Sequence, residues 1–240
     1  MSLTLHQNTF IVATAFPDPP FDVIDRDNGF SGFDIELISE IAALLKLTLK
    51  IVPYTGEDFN GIFDGLINQQ YDAVISGTTI TAARAEKVLF TKPYLEFNQG
   101  IAINHAKTPN VSAEEDLKGL VAGIQKGNTS DAVAKELKSR GLIADIHYYS
   151  YHQIEAALMD LQKGKIGLVI KLFPVISSLI KEYPELSVAM QVPTQEKIGI
   201  AVAKGNQPLC SAMNQALDTL KENSKIQTLA LKWFSDATCL

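Results

Sequence analysis

The sequence predicts an α/β chain built of two βαβ-rich units. Short apolar runs such as Ala73-Val74-Ile75 alternate with amphipathic stretches of helical period through the first third. The same alternation returns in kind, though not in sequence, from Leu120 to Ile170. Two extended stretches, Tyr94 to Ile103 and Glu196 to Val202, read as the passages between the blocks.

Phe10 to Ala15 is an apolar strand that ends in the stiff, proline-rich loop Phe16-Pro17-Asp18-Pro19-Pro20-Phe21. Asp25 to Gly29 reads as a hairpin turn. Asp34 to Leu45 places Ile35, Ile38, Ile41, Ala42 and Leu45 on one helical face. Leu47 to Val52 alternates as a strand does, and Phe59 to Gln69 is helical with Ile62, Phe63, Leu66 and Ile67 inward. With the strand Ala73 to Ile75 this makes βαβαβ and a mostly parallel sheet. A short helical segment follows from Ala82 to Lys87. After the polar linker Asn104 to Asn110, Ser112 and Glu115 read as a capping box. Strands are expected at Leu120 to Ile124, Asp145 to Tyr149 and Ile166 to Ile170. Helices are expected at Thr129 to Arg140, stopped by Gly141, and His152 to Lys163, stopped by Gly164. Pro174 suits the first turn of a helix reaching about Lys181. Ser187 to Gln191 reads as a strand ended by Pro193. Two helices close the chain, Pro208 to Glu222 and Ser224 to Trp233. Ser224 and Gln227 form a candidate capping box, and the apolar face carries Met213, Leu217, Leu220, Ile226, Leu229 and Phe234.

Composition narrows the function classes. The 240 residues are 46% hydrophobic, enough for a sizeable core in one large or two small domains. A net charge of −6 argues against a nucleic-acid partner, which requires a basic face. No apolar run approaches the ~20 residues of a membrane span. No basic-then-apolar leader opens the chain, and Met1-Ser2-Leu3 reads as a new start, compatible with a signal peptide removed on export. His6, His105, His147 and His152 are scattered among polar residues and read as solvated. Neither Cys210 nor Cys239 has metal or redox-motif spacing, and no phosphate-binding glycine loop occurs, so neither cofactor nor metal is expected. Cys210 opens the first terminal helix and Cys239 follows the second. Antiparallel helices bring those ends together, so an oxidising compartment would permit a disulfide, against the alternative of two unpaired thiols.

The chemistry concentrates in Ser76-Gly77-Thr78-Thr79-Ile80-Thr81-Ala82-Ala83-Arg84. A loop that leaves a strand and enters a helix turns backbone N–H groups toward an anion. Arg84 adds a planar fork suited to a carboxylate, the threonines add hydroxyls, and Gly77 admits a close approach to the backbone. The plain alternative is a polar turn with a surface arginine. Gln125-Lys126-Gly127-Asn128-Thr129 repeats the strand-to-helix geometry in the second block.

Gly32-Phe33-Asp34-Ile35-Glu36-Leu37 with Ile41-Ala42 and Leu45 resembles the signature of the bacterial solute-binding proteins for polar amino acids. Ser76 to Arg84 resembles the second characteristic segment of that family, and Lys232-Trp233-Phe234 its terminal helix. The resemblance covers about Phe10 to Phe234. It implies a two-lobed periplasmic-binding-protein fold, each lobe a mostly parallel sheet flanked by helices. Two hinge strands would join lobe 1 (1–98 plus 196–240) to lobe 2 (99–195), with a ligand cleft between the carboxyl ends of the sheets. It also implies a non-enzymatic monomer that captures a small amino acid by hinge closure and delivers it to the membrane permease of an ABC importer, in the periplasm and with no nucleic acid.

On matching positions, Arg84 would hold the ligand carboxylate, with Thr79 N–H and its hydroxyl assisting. Gly77 would offer its carbonyl to the ammonium. Phe16 and Phe59 would place rings against the ligand side chain, unless they are core phenylalanines. Gly127 and Thr129 match the family's second-lobe segment, where Thr129 N–H would reach the carboxylate. The chain departs from the pattern at Leu172, where relatives place the aspartate that receives the α-ammonium. An unmet ammonium in a dry cleft is costly, so another acid serves or the ligand lacks the group. Asp18, Glu57, Asp58 and Glu196 are the nearest acids by loop position, each with the alternative of a solvated surface charge. Arginine is the first ligand, because aromatic rings and acidic loops suit a guanidinium; glutamine, histidine and lysine stay open. A dehydratase of the prephenate or arogenate type on the same fold, or a receptor sensor domain, is the competing reading.

Overall fold

The computed structural model describes residues 3–24, 29–108 and 110–234. In chain order the elements are β1 (Thr9–Ala15), β2 (Val23–Ile24), β3 (Phe30–Ser31), α1 (Phe33–Leu44), β4 (Thr48–Tyr54), α2 (Ile62–Ile67), β5 (Ala73–Val74), α3 (Ala82–Ala85), β6 (Val88–Phe90) and β7 (Leu95–Asn104). They continue with β8 (Val121–Gln125), α4 (Ser130–Ser139), β9 (Asp145–Tyr149), α5 (Ile154–Lys163), β10 (Leu168–Leu172), α6 (Phe173–Leu179), β11 (Leu186–Ile198), β12 (Ala201–Ala203), α7 (Gln207–Glu222) and α8 (Lys225–Trp233).

The chain divides into two compact units. The first comprises Met1–Thr55, Asn60–Glu96 and Glu196–Leu240; the second comprises Gly56–Phe59 and Phe97–Gln195. The first sheet has the order β4-β1-β5-β12-β6. Its β1 runs parallel to both β4 and β5, as a βαβ sequence dictates, and the late strand β12 enters antiparallel between β5 and β6. The second sheet has the order β11-β7-β10-β8-β9, with β8 parallel to β9 and β10 and β10 antiparallel to β7. Both units therefore combine a parallel centre with strands that return antiparallel.

Strand alternation builds the core of the second unit. Leu168 and Ile170 of β10 pack with Ile101, Ile124 and the α4 residues Val133, Ala134 and Leu137, while Val169 joins Ala102, Ile154, Leu158 and Leu161 on the other side. Each of the valine, leucine and isoleucine side chains contributes about 1.5–3 kcal/mol by leaving water. In the first unit Phe10, Val12, Leu37, Ile38, Ile41, Ile62 and Phe63 are fully buried. Four aromatic rings from distant stretches meet there. Phe234 lies 5.1 Å from both Phe21 and Phe33, and Phe33 stacks on Tyr94 at 5.9 Å.

Several local expectations differ from the structure. The helical segment after Ser76 is only the four residues Ala82–Ala85, capped by Thr81 Oγ1, which accepts from Arg84 N–H. Pro193 does not end a strand, because β11 lies at a sheet edge where a missing N–H is tolerated. The cap after the linker uses Asp116 rather than Glu115: its carboxylate accepts from Ser112 N–H, Ser112 Oγ and Ala113 N–H. Ser224 has φ of 61° and makes no side-chain cap; Asn223 Oδ1 accepts from Lys225 N–H instead. The turn expected at Asp25 to Gly29 falls largely on residues 25–28, outside the described residues, although β2 and β3 on either side pair antiparallel. Cys239 is also outside them, and with it the expected disulfide; Cys210 is buried and its thiol donates to the Phe90 carbonyl.

Candidate functional site

In the first unit the turn after β5 is stapled to the end of β11 and the glycine after it. Ile80 N–H donates to the Lys197 carbonyl at 2.8 Å, Gly199 N–H donates to the Thr78 carbonyl at 3.0 Å, and Thr79 forms an isolated bridge with Ile198. Arg84 is pulled inward and is 7% exposed, so the surface-arginine alternative fails. Its Nη1 donates to the Thr79 carbonyl at 2.9 Å and its Nε to Asn60 Oδ1 at 3.1 Å, with the guanidinium 5.5 Å from the Phe63 ring centre. Nitrogens fixed from two sides hold the planar fork in one orientation before any ligand arrives. Thr79 Oγ1 donates its one proton to Glu196 Oε2 at 2.5 Å, so the hydroxyl expected to reach a carboxylate is engaged by an acid.

Behind this turn lies a buried acidic group that sequence reasoning did not anticipate. Asp34, in the first turn of α1, accepts from Gly77 N–H at 2.6 Å and from Tyr94 Oη at 2.8 Å. Asp22 accepts from Ser76 Oγ at 2.9 Å. Burial pushes the Asp34 carboxyl up to about 7, even though the bonds from Gly77 and Tyr94 pull it down. Burial, reinforced by the charges of Asp18 and Asp34, raises Asp22 well above the usual carboxylate range. Gly77 has φ of 50°, and a Cβ there would meet the Phe21 ring at 3.1 Å, so the position favours glycine twice over. Asp18 is buried, its N–H donates to the Asp22 carbonyl, and it belongs to this acidic group. Phe16 is buried and stacks on Phe30 at 5.0 Å.

In the second unit the corresponding turn follows β8. Gly127 takes φ of 80°, and Thr129 precedes α4 with its Oγ1 accepting from Gln99 Nε2 at 3.1 Å. Phe59 is buried, lies 5.2 Å from the Tyr151 ring, and its N–H donates to the Lys126 carbonyl at 3.2 Å. Gln125 sits under the turn, donating through Nε2 to the Tyr151 carbonyl and accepting at Oε1 from Lys171 Nζ at 2.7 Å. Lys171 is 3% exposed and its ammonium lies 5.6 Å from the Tyr151 ring centre. Leu172, beside it, is a buried strand end opposite Gln99.

The candidates thus fall into two sets. Phe16, Asp18, Gly77, Thr79 and Arg84 belong to the first unit, and Phe59, Gly127 and Thr129 to the second. Gln125, the first residue of the second-block segment, joins them, and so do Asn60, Gln99, Tyr151 and Lys171, which no motif singled out. The available signal was a lysine, Lys171, at the end of an otherwise apolar strand. Among the described residues no group of His, Cys, Asp and Glu is arranged to hold a metal, and no helix is long and apolar enough to cross a membrane.

Comparison with known proteins agrees with this arrangement. The family model described as bacterial extracellular solute-binding proteins, family 3, matches residues 10–236. The ABC transporter arginine-binding protein 1 of Escherichia coli (strain K12) is 32% identical over 221 residues, covering 90% of this chain and 86% of the relative. An ancestral arginine-binding protein solved with arginine superposes with a TM-score of 0.85 at 31% identity, over 95% of this chain and 99% of the other. An ancestral amino acid-binding protein, a precursor of cyclohexadienyl dehydratase, has a TM-score of 0.83 at 28% identity, over 95% of each chain. With the signature residues, two α/β units and nearly full-length matches in agreement, the chain belongs to the bacterial extracellular solute-binding proteins of family 3.

Proposed function

We propose that the protein is the substrate-binding component of an ABC importer and that it takes a polar or basic L-amino acid, arginine first. The buried guanidinium of Arg84 carries this reading. Its orientation is held by Thr79 and Asn60, next to a turn whose backbone is fixed by Lys197 and Gly199. Such a fork is the chemistry that takes an α-carboxylate through parallel hydrogen bonds. Thr79 N–H assists in the first unit, and the Gly127–Thr129 turn contributes from the second. Phe16 and Phe59 supply aromatic surface to the ligand side chain. The arginine-binding relatives of comparable length support the choice of arginine. Delivery to a membrane permease, a periplasmic location and action as a monomer complete the proposal. The dehydratase reading is not favoured: the relatives matched here are named as binding proteins, including the dehydratase precursor.

The direct test is a mass spectrum of small molecules released when the purified protein is denatured, followed by calorimetric titration of unfolded and refolded, ligand-free protein with L-arginine. Release of arginine, or binding of added arginine to the refolded protein, is expected. Failure to bind any amino acid overturns the proposal.

A further inference from the structure

We propose, resting on the amino-acid reading above, that Glu196 is the carboxylate that meets the ligand's α-ammonium. An α-amino acid brings two charges on one carbon. A site that fixes the carboxylate needs an acceptor for the ammonium close by, because a cation left unmet in a desolvated site is costly.

Four acids were candidates by loop position, and the structure separates them. Glu57 and Asp58 are exposed. Asp18 is buried, but its charge bears on Asp22 and Asp34, behind the turn. Glu196 bonds a residue of the turn itself: its Oε2 accepts from Thr79 Oγ1 at 2.5 Å. Both are nearly out of solvent, Glu196 at 8% and Thr79 at 6% exposure.

The backbone explains the placement. Thr79 is bridged to Ile198, and residues two apart on a strand point to one face, so Glu196 stands diagonally across from Thr79 on Thr79's side. The Thr79 carbonyl is meanwhile held by Arg84 Nη1. Thr79 therefore touches both charges, the guanidinium through its carbonyl and the carboxylate through its hydroxyl. That is the charge pattern of a zwitterion in reverse. The ligand side chain, several bonds further out, is not held by this acid, so Glu196 selects for the amino group rather than for the guanidinium.

The experiment compares wild type and Glu196→Gln by calorimetry against L-arginine and against 5-guanidinopentanoate, which is arginine without its α-amino group. Glutamine keeps an acceptor for Thr79 Oγ1 and nearly the same shape. The wild type is expected to prefer arginine at least tenfold. Glu196→Gln is expected to lose arginine at least tenfold while holding the analogue within threefold, with an unchanged circular dichroism spectrum. Arginine held within threefold by the variant overturns the assignment. Equal loss of both compounds overturns it too, since that is the signature of a merely structural contact to Thr79. Wild type that binds neither compound overturns the choice of arginine alone; the same pair is then run with the amino acid that raises the melting temperature most and its deaminated analogue. If no amino acid raises it, the amino-acid reading and this assignment both fall.

Discussion

Arg84 does two jobs that a substitution separates. It is proposed to hold the ligand carboxylate, and it also satisfies the Thr79 carbonyl and Asn60. Arg84→Ala is expected to weaken binding of the cognate amino acid on the order of 100-fold or more, since cutting one partner of a buried charged pair costs about 2–5 kcal/mol. It should also lower stability by roughly 1–3 kcal/mol through the uncovered carbonyl. Calorimetry and urea unfolding read the two effects, and binding within tenfold of wild type would remove Arg84 from the site.

Asp34 gives a prediction with a definite sign. In the fold its carboxyl keeps a proton to about 7; in an unfolded chain an aspartate releases it at about 3.9. Between those limits the native state binds the extra proton. Its contribution to stability is fully present below about 4 and is lost as pH rises to about 7, with a slope of at most ~1.4 kcal/mol per unit for one proton. Asp22 is shifted the same way, and the groups facing the pair are Asp18 and Tyr94. Urea unfolding of Asp34→Asn at pH 5 and pH 7.5 should show a flatter dependence than wild type; an equal slope in both would mean that Asp34 does not hold the proton. The motif Gly32-Phe33-Asp34 was legible as a family signature, but the role of its acid was not. A carboxylate in a helical first turn looks solvated in sequence, and only the return of Gly77 and Tyr94, 43 and 60 residues later, shows that it faces inward.

At the scale of elements, legibility followed local periodicity. The helices α1, α4, α5 and α7 carry apolar residues at helical spacing and end near the positions expected from their polar neighbours and glycines. Gly164, for example, takes the left-handed conformation that closes α5. The failures came where tertiary position outweighs local chemistry. Pro193 reads as a strand end, yet β11 runs through it because an edge strand can spare the N–H. Ser224 reads as a cap, yet it takes a positive φ and its side chain makes no cap bond to the helix it precedes. The cap of α7 is a clean case for measurement. Asn206 Oδ1 accepts from Leu209 N–H at 3.2 Å, and Nδ2 donates to the Leu3 carbonyl at 2.9 Å. Asn206→Ala should cost about 1 kcal/mol from the cap, and somewhat more because the Leu3 carbonyl loses its donor. A urea midpoint indistinguishable from wild type would show that the cap contributes nothing to α7.

At the scale of the molecule, the two α/β units were legible because each repeats the strand and helix alternation. The brief excursion of Gly56–Phe59 into the second unit was not, since nothing in four residues announces that Tyr151 N–H will donate to the Glu57 carbonyl. A ligand that binds only the native chain raises its stability by mass action, by about 2.7 kcal/mol at a hundredfold excess over Kd. For a chain of this length that is a rise of roughly 5–11 °C in melting temperature. A scan of amino acids by differential scanning fluorimetry should therefore rank arginine first; a flat scan would contradict the proposed function.

The packing of the last helix bears on how the chain is made. Glu36 of α1 accepts from Lys232 Nζ and Trp233 Nε1, and the Phe234 ring closes on Phe21 and Phe33. Phe21 is in turn the ring against Gly77. A chain emerging from its amino end completes the long stretch Phe97–Gln195 of the second unit while the first still lacks β12, α7 and α8. The segment that carries Arg84 is synthesised early, yet it waits for almost the final residues before the wall behind it is whole. During that interval Phe21 and Phe33 lack the Phe234 ring that covers them in the finished fold.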